Sequence, residues 1–149
     1  DAIIEGAQLA GKTLHDIDLQ AGGSVCFSDD VDSLLAAQRG GVAFQLGAMG
    51  SADHNFYNDA FKRQGYAEDA TAVQQLWLAG KRQEASDRVP DDLILKSNLL
   101  GTESMVKARV AAYRAAGVGT LRVSPLGQTL EERLETLGRV MDIIRNGDD

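Results

Sequence analysis

The chain has 149 residues, the size of one domain, and its 44% apolar and 25% charged content sets aside disordered, fibrous and low-complexity classes. Fifteen Lys and Arg stand against 22 Asp and Glu, a formal charge of −7, which argues against a sequence-independent grip on nucleic acid or on an anionic membrane surface. The single cysteine, Cys26, excludes an internal disulfide, and with two histidines it cannot furnish a structural zinc site, so no metal is expected. Between Arg39 and Asp53 lies an uncharged run of 13 residues. That is short of the ~18 to 20 a membrane helix requires. No secretory pattern opens the chain, and the expected setting is the reducing cytoplasm. Because the first residue is Asp1 and apolar-periodic sequence follows at once, a processed or truncated product is expected.

Ile3, Ala7 and Ala10 recur at helical spacing beside Ile4, and Gly11-Lys12 supplies a stop, which predicts a helix over residues 2 to 10. From Ile17 to Phe27, Leu19, Ala21, Val25 and Phe27 alternate with Gln20, Gly22, Ser24 and Cys26, the period-two pattern of a strand. Ser28, Asp29 and Asp30 then offer cap side chains to a helix whose buried face is Val31, Leu34 and Leu35, and which Gly40-Gly41 should end or break. After a loop Gly47-Ala48-Met49-Gly50-Ser51, a helix over Asn55 to Gln64 carries Phe56, Ala60 and Phe61 on one side and stops at Gly65. A further helix from about Glu68 sets Val73, Leu76, Trp77 and Gly80 on one stripe, and Val89-Pro90-Asp91-Asp92 marks another helix start. Gly101-Thr102 leads into a helix faced by Val106, Val110 and Tyr113 and terminated by Gly117. A short strand over Gly119 to Ser124 ends at Pro125, and the last helix opens with a Thr129-Leu130-Glu131-Glu132 capping box. Its expected buried positions are Leu130, Leu134, Leu137, Met141 and Ile144. Two strands joined through helices are parallel, and two alone do not make a covered parallel sheet. Either they pair beneath a mostly helical body, or they belong to a larger sheet whose other members lie outside this chain.

Gly6-Ala7-Gln8-Leu9-Ala10-Gly11-Lys12-Thr13 matches the phosphate-loop pattern, whose backbone N–H groups cradle phosphates. That loop needs a buried strand before it and a long helix after it, whereas here a helical pattern precedes and Gly22-Gly23 soon follows. The better reading places Gly6 inside a helix that Gly11-Lys12 ends. His15 and His54 sit in polar surroundings and read as exposed loop residues. Cys26 reads as a small thiol on a strand with no basic neighbour in the sequence to activate it. Lys81-Arg82 reads as a solvated turn, and Trp77 as core.

The ordered set Met49-Gly50-Ser51, Asn55-Phe56-Tyr57-Asn58-Asp59, Gly65-Tyr66 and Leu76-Trp77-Leu78-Ala79-Gly80-Lys81 resembles the C-terminal part of the luciferase-like oxidoreductases, in particular their coenzyme F420-dependent branch. Val89-Pro90-Asp91-Asp92-Leu93, Gly101-Thr102 and the run Ala115 to Leu126 continue the resemblance in the same order, so that it covers nearly the whole chain. Two positions depart from it: Ala48 stands where a second glycine is expected, and Gly40-Gly41 where a proline-containing break is common.

The resemblance implies a helix-rich α/β fold, the C-terminal portion of a (β/α)8 TIM barrel of the bacterial luciferase-like type. Such a barrel needs about 250 residues, so 149 supply part of one. Residues 1–149 then form a single partial domain in which 17–27 and 120–124 are the last two barrel strands and a helical insertion spans about 53–95. Barrel geometry turns Leu19, Ala21, Val25, Phe27, Leu121 and Val123 toward the outer helices, and Gln20, Ser24, Cys26, Arg122 and Ser124 toward the axis. An axial Arg122 needs a partner or a bound anion, unless it snorkels at the rim. Gly50, Ser51, Asn55 and Ser124 are the candidate cofactor-binding residues near the mouth, with a helix cap as the alternative role for Asn55.

By resemblance the activity is hydride transfer between coenzyme F420 and a small organic substrate, or oxygenation if the cofactor is FMN. No catalytic residue is assigned, and the isolated chain is expected to be inactive without the missing N-terminal barrel segment. A homo-oligomer is compatible with this picture. A non-catalytic helical binding or assembly module is the competing reading, distinguished by a self-sufficient fold and an exposed apolar patch that mediates dimerisation.

Overall fold

The computed structural model describes residues 2–51 and 54–146. In chain order its elements are helix α1 (Ala2–Leu9), strand β1 (Gln20–Phe27), helices α2 (Val31–Ala48), α3 (Phe56–Phe61), α4 (Ala67–Leu78), α5 (Arg82–Asp87) and α6 (Asp91–Ser97), strand β2 (Leu99–Gly101), helix α7 (Glu103–Ala115), strand β3 (Thr120–Pro125) and helix α8 (Leu130–Asn146). They divide into two compact units: a sheet unit built from the residues before Ser28 and after Ser97, and a helical unit over Ser28–Ser97.

In the sheet unit, α1 ends as its sequence requires. Gly11 takes φ 68°, and the Lys12 N–H reaches back to the Ala7 carbonyl at 2.8 Å. Gly6 thus lies inside a helix, not in a phosphate-cradling loop. The expected strand starts at Gln20, because Leu14–Asp16 form a single 3₁₀ turn closed by Thr13 and Asp16. β1 is the centre of a three-stranded parallel sheet of order β2-β1-β3. The two strands expected to be neighbouring barrel staves are hydrogen-bonded neighbours, with Ala21 opposite Leu121 and Val25 opposite Pro125. At Gly22 (φ 143°) a Cβ would lie 1.8 Å from the Arg122 carbonyl oxygen, so only glycine permits this approach of the two strands.

The third strand, β2, pairs Val25 with Leu99 and Phe27 with Gly101. It was not expected. Three residues are too few to show a period, and Leu99 and Leu100 are both buried, so no alternation marks them. The Asn98 side chain fixes its start by accepting the Ser24 N–H at 2.9 Å.

One face of the sheet is covered by α7 and α8. Val25, Leu99, Val106, Val110, Val140 and Ile143 form the buried cluster, and Phe27, Tyr113, Leu121 and Val123 pack against it. Each fully buried aliphatic side chain of this set contributes about 1.5–3 kcal/mol. The alternation therefore points as expected, with Val25, Phe27, Leu121 and Val123 toward the helices. Gly117 (φ 84°) terminates α7 and the Thr129–Glu132 box caps α8, again as read from sequence.

The buried face of α8 differs from expectation. Val140 and Ile143 are buried, whereas Leu130, Leu134, Leu137 and Met141 are exposed by 73, 58, 36 and 41%. The sheet and α7 together occupy less than the full apolar circumference of the helix.

In the helical unit, Asp30 caps α2 by accepting both the N–H and the hydroxyl of Ser33. α2 then runs through Gly40-Gly41 without a break and includes Gly47 and Ala48, which were expected to be loop. Two interior glycines cost roughly 1 kcal/mol each in helix propensity. Burial of Leu35, Ala43 and Leu46 on either side of them outweighs that cost. Ala48, one of the two departures, is simply the last residue of this longer helix.

α3 leads through one wide turn, Lys62–Tyr66, into α4, and the direction changes at Gly65 (φ 99°). Phe56, expected on the packed side of α3, is exposed, and the buried residues there are Asn55 and Asn58. Lys81 and Arg82 are exposed, as expected, directly after the turn at Ala79-Gly80 and at the start of α5, and the Arg82 guanidinium lies 3.9 Å from the Trp77 ring centroid. Trp77 is half-buried, with Phe44 edge-on at 5.8 Å.

Candidate functional site

The face of the sheet away from α7 and α8 carries the side chains expected to point toward a barrel axis. Gln20, Ala21, Gly22, Gly23, Arg122, Val123 and Ser124 line an open groove of about 410 Å³ there. Arg122 and Ser124 are exposed on it, and Arg122 makes no ion pair among the described residues. Strand alternation alone sets this polarity, since the same backbone that buries Leu121 and Val123 turns the residues between them outward. The groove offers an amide, a hydroxyl and a guanidinium as hydrogen-bond donors around backbone left bare by two glycines.

A second, smaller groove of about 230 Å³ lies at the C-terminal ends of β1 and β3, between Cys26, Phe27, Leu126 and Gly127 and the first turns of α8. Glu132, Glu135, Thr136 and Arg139 are its polar lining. The Glu132 carboxylate is committed to the helix cap, where it accepts the N–H groups of Gln128 and Thr129. Arg139 is held from two sides, with its guanidinium 3.9 Å from the Phe27 ring centroid and 3.4 Å from Glu103. Lys107, with Arg139 behind it, holds the Glu103 carboxyl below its ordinary value. The groove's lining includes both Arg139 and the half-buried Cys26, a grouping the sequence did not show. The signal available was positional: residues 132, 135, 136 and 139 share one face of α8 directly after its capping box.

In the helical unit the segment from Gly50 to Asn58 is a built loop. Gly50 takes φ 140°, and a Cβ there would lie 2.3 Å from the His54 carbonyl oxygen. Ser51 and His54 close the loop reciprocally: the Ser51 N–H donates to the His54 carbonyl and the His54 N–H to the Ser51 hydroxyl, both at 3.0 Å. Asn55 is 3% exposed and both ends of its amide are engaged. Its oxygen accepts the Asn58 N–H at 3.0 Å, capping α3, and its nitrogen donates to the Leu46 carbonyl at 2.8 Å. Asn58, which sequence reading passed over, donates to the Leu46 and Ala70 carbonyls at 3.0 and 2.7 Å. Its own oxygen is buried without a partner among the described residues. Of the four candidate cofactor residues, the structure thus gathers Gly50, Ser51 and Asn55 into one loop of the helical unit, while Ser124 belongs to the groove of the sheet unit.

A parallel sheet with helices on one face and a polar, glycine-bared groove on the other, and with chain ends of its strands opening on a second groove, defines a sector of a βα barrel. Residues 1–120 match the family model of the luciferase-like monooxygenases, and the chain belongs to that family. Over 124 residues it is 29% identical to a Mycobacterium tuberculosis protein whose assigned name is that of a coenzyme F420-dependent oxidoreductase, covering 83% of this chain and 35% of the relative. It is 30% identical over 139 residues to 5,10-methylenetetrahydromethanopterin reductase of Methanopyrus kandleri, covering 92% of this chain and 38% of the relative. The solved structure of coenzyme F420-dependent tetrahydromethanopterin reductase from that organism superimposes with a TM-score of 0.66 at 28% identity, over 94% of this chain and 39% of the other. The chain therefore has the fold of part of a luciferase-like (β/α)8 barrel and spans a little over a third of the length of the relatives it matches.

Proposed function

We propose that this chain is the C-terminal part of a coenzyme F420-dependent oxidoreductase that transfers hydride to or from a small organic substrate. The observation that carries the proposal is the axis-side groove, together with relatives named for F420. Its donors, the Arg122 guanidinium and the Ser124 hydroxyl, suit the carbonyl and phosphate acceptors of a flavin-type cofactor, while the Gln20 amide donates to Asp18 at 2.7 Å. When bound, the deazaflavin supplies the hydride chemistry. This chain's residues bind and orient. Ser124, with Arg122 beside it on the axis-side groove, contacts the cofactor from the sheet unit. Residues 1–149 act as one domain with a helical insertion over about 53–95, and the N-terminal barrel segment supplies the rest of the cavity wall.

The test is titration of F420 into the polypeptide that carries this sequence together with its N-terminal barrel segment, followed by absorbance. Saturable binding is expected, weakened several-fold by Ser124→Ala as one hydrogen bond of about 1 kcal/mol is lost, whereas the 149-residue chain alone should bind little. Absence of F420 binding by the longer polypeptide rejects the proposal.

A further inference from the structure

The axis-side face of the sheet carries a cation with no counter-charge among the described residues. Arg39, Arg88 and Arg139 pair with carboxylates, and Arg114 and Arg133 donate to backbone carbonyls. Arg122 does neither, although it stands in the middle of β3 and not on a solvent-facing helix. Asp18, the acid that precedes β1, is occupied at the N-terminal end of the same face. It accepts the Gln20 amide at 2.7 Å and the Thr120 hydroxyl at 3.1 Å. The N-terminal end of the groove is thus closed by its own hydrogen bonds, and the uncommitted donors lie toward the C-terminal ends of the strands.

Three donors gather there. The ladder sets Gly22 opposite Arg122 and Ser24 opposite Ser124, so all four share one face. Strands about 4.8 Å apart, rising about 3.3 Å per residue, bring both hydroxyls and the end of the long Arg122 stem within reach of one small anion. Gly22 adds no side chain to compete for that space. The Ser24 backbone is pinned by its N–H bond to Asn98, while neither serine hydroxyl has a partner among the described residues. The loop after β3 does not offer a rival anion site, because the N–H groups of Gln128 and Thr129 already donate to the Glu132 carboxylate.

In the family barrel this face is turned to the axis, and a guanidinium taken out of water without a counter-charge is costly. Building on the proposed function, we infer that Arg122, Ser24 and Ser124 form an oxyanion subsite that takes a carboxylate or phosphate group of the bound ligand. The guanidinium donates in a paired fork and each hydroxyl donates once. Two sources carry this chemistry: the phosphate-bearing tail of the cofactor, and an anionic substrate.

The test uses the longer polypeptide, with Arg122→Gln, Arg122→Lys and Ser24→Ala as variants. Inorganic phosphate and acetate, each against chloride at equal ionic strength, should raise the melting temperature of the parent, as any ligand of the folded state does. Arg122→Gln should abolish that rise, Ser24→Ala should diminish it, and Arg122→Lys, which keeps the charge but not the fork, should retain part of it. F420 and a deazaflavin lacking the phosphate tail are then titrated to separate the sources. A cofactor oxyanion predicts that Arg122→Gln weakens F420 at least tenfold and leaves the tail-free deazaflavin unchanged. A substrate oxyanion predicts that both deazaflavins bind Arg122→Gln as they bind the parent, and that phosphate or acetate raises the melting temperature of the F420-loaded parent but not of the F420-loaded variant. A parent that responds to neither anion overturns the subsite, and so does an Arg122→Gln variant that responds as the parent does. If the parent fails to bind F420, the proposed function is rejected, while the phosphate and acetate measurements decide the subsite by themselves.

Discussion

Gly47 and Asn58 show how much of the helical unit rests on single side chains. The Trp77 ring lies directly on the Gly47 backbone, and a Cβ at that position would stand 2.3 Å from Trp77 Cγ. Gly47→Ala must displace the ring from Phe44 and Arg82. A loss of about 1–3 kcal/mol is expected, the usual cost of overpacking. Trp77 is the only tryptophan, so its emission should shift to longer wavelength as the ring moves. Unchanged emission would mean the ring does not rest there. Asn58 donates to the Leu46 and Ala70 carbonyls and so ties α3 to α2 and α4, the Leu46 carbonyl accepting from Asn55 as well. Asn58→Ala should cost about 1–3 kcal/mol in denaturant unfolding followed by Trp77 emission, since two buried hydrogen bonds of ~0.5–1.5 kcal/mol each are lost. A loss below ~0.5 kcal/mol would show that water replaces the amide.

At the scale of elements, the acidic side chains at helix starts and turns act together. Asp16 is held below its ordinary value by hydrogen bonds from Thr13, and Asp30 by those from Ser33. Asp92 is held down chiefly by Lys96 and then by the Tyr66 hydroxyl. A carboxyl whose folded value is depressed stabilises the fold above its unfolded value, and that stabilisation is lost as pH falls through the folded one. Melting temperature should therefore be flat above about pH 5 and decline below about pH 4, the ordinary carboxylate range. Lys96 is raised, mainly by Asp92, so its contribution is present below its ordinary value and is lost only as strongly alkaline pH passes the raised one. A melting temperature that rises on acidification would contradict these assignments.

The same caps mark what was readable in sequence. Asp30, Thr129–Glu132 and Gly117 carry local chemistry that needs no distant partner, and each sits where its residue type predicts. Continuation of α2 through Gly40-Gly41 was illegible because tertiary burial of Ala43 and Leu46 decides it, and β2 because its three residues show no period. Ser124 was placed on the axis face by strand alternation, whereas Arg139 and Thr136 entered the groove at the strand ends only through the packing of α8 on the sheet. The α8 stripe shows the converse: its periodicity was read correctly as apolar, but the sheet and α7 bury only Val140 and Ile143 and leave Leu130, Leu134, Leu137 and Met141 exposed.

For the molecule as a whole, two opposing terms govern how the 149-residue chain behaves alone. Exposed Leu9, Phe56, Leu78, Leu130 and Leu134 favour association, because each hides apolar area from water when copies meet. The formal charge of −7 opposes it through repulsion between like-charged copies. Salt separates the two, since it screens exposed charges over a Debye length that falls from ~30 Å at 0.01 M to ~3 Å at 1 M, while burial of apolar surface is not weakened. Light scattering by the isolated chain should therefore rise as NaCl is increased across that range, with the far-UV helical signal unchanged. A Leu130→Asp, Leu134→Asp variant should flatten the rise twice over, by removing apolar surface and by adding two negative charges. Scattering that falls with salt would mean that copies meet through complementary charges, and the exposed side chains would then not be what drives them together.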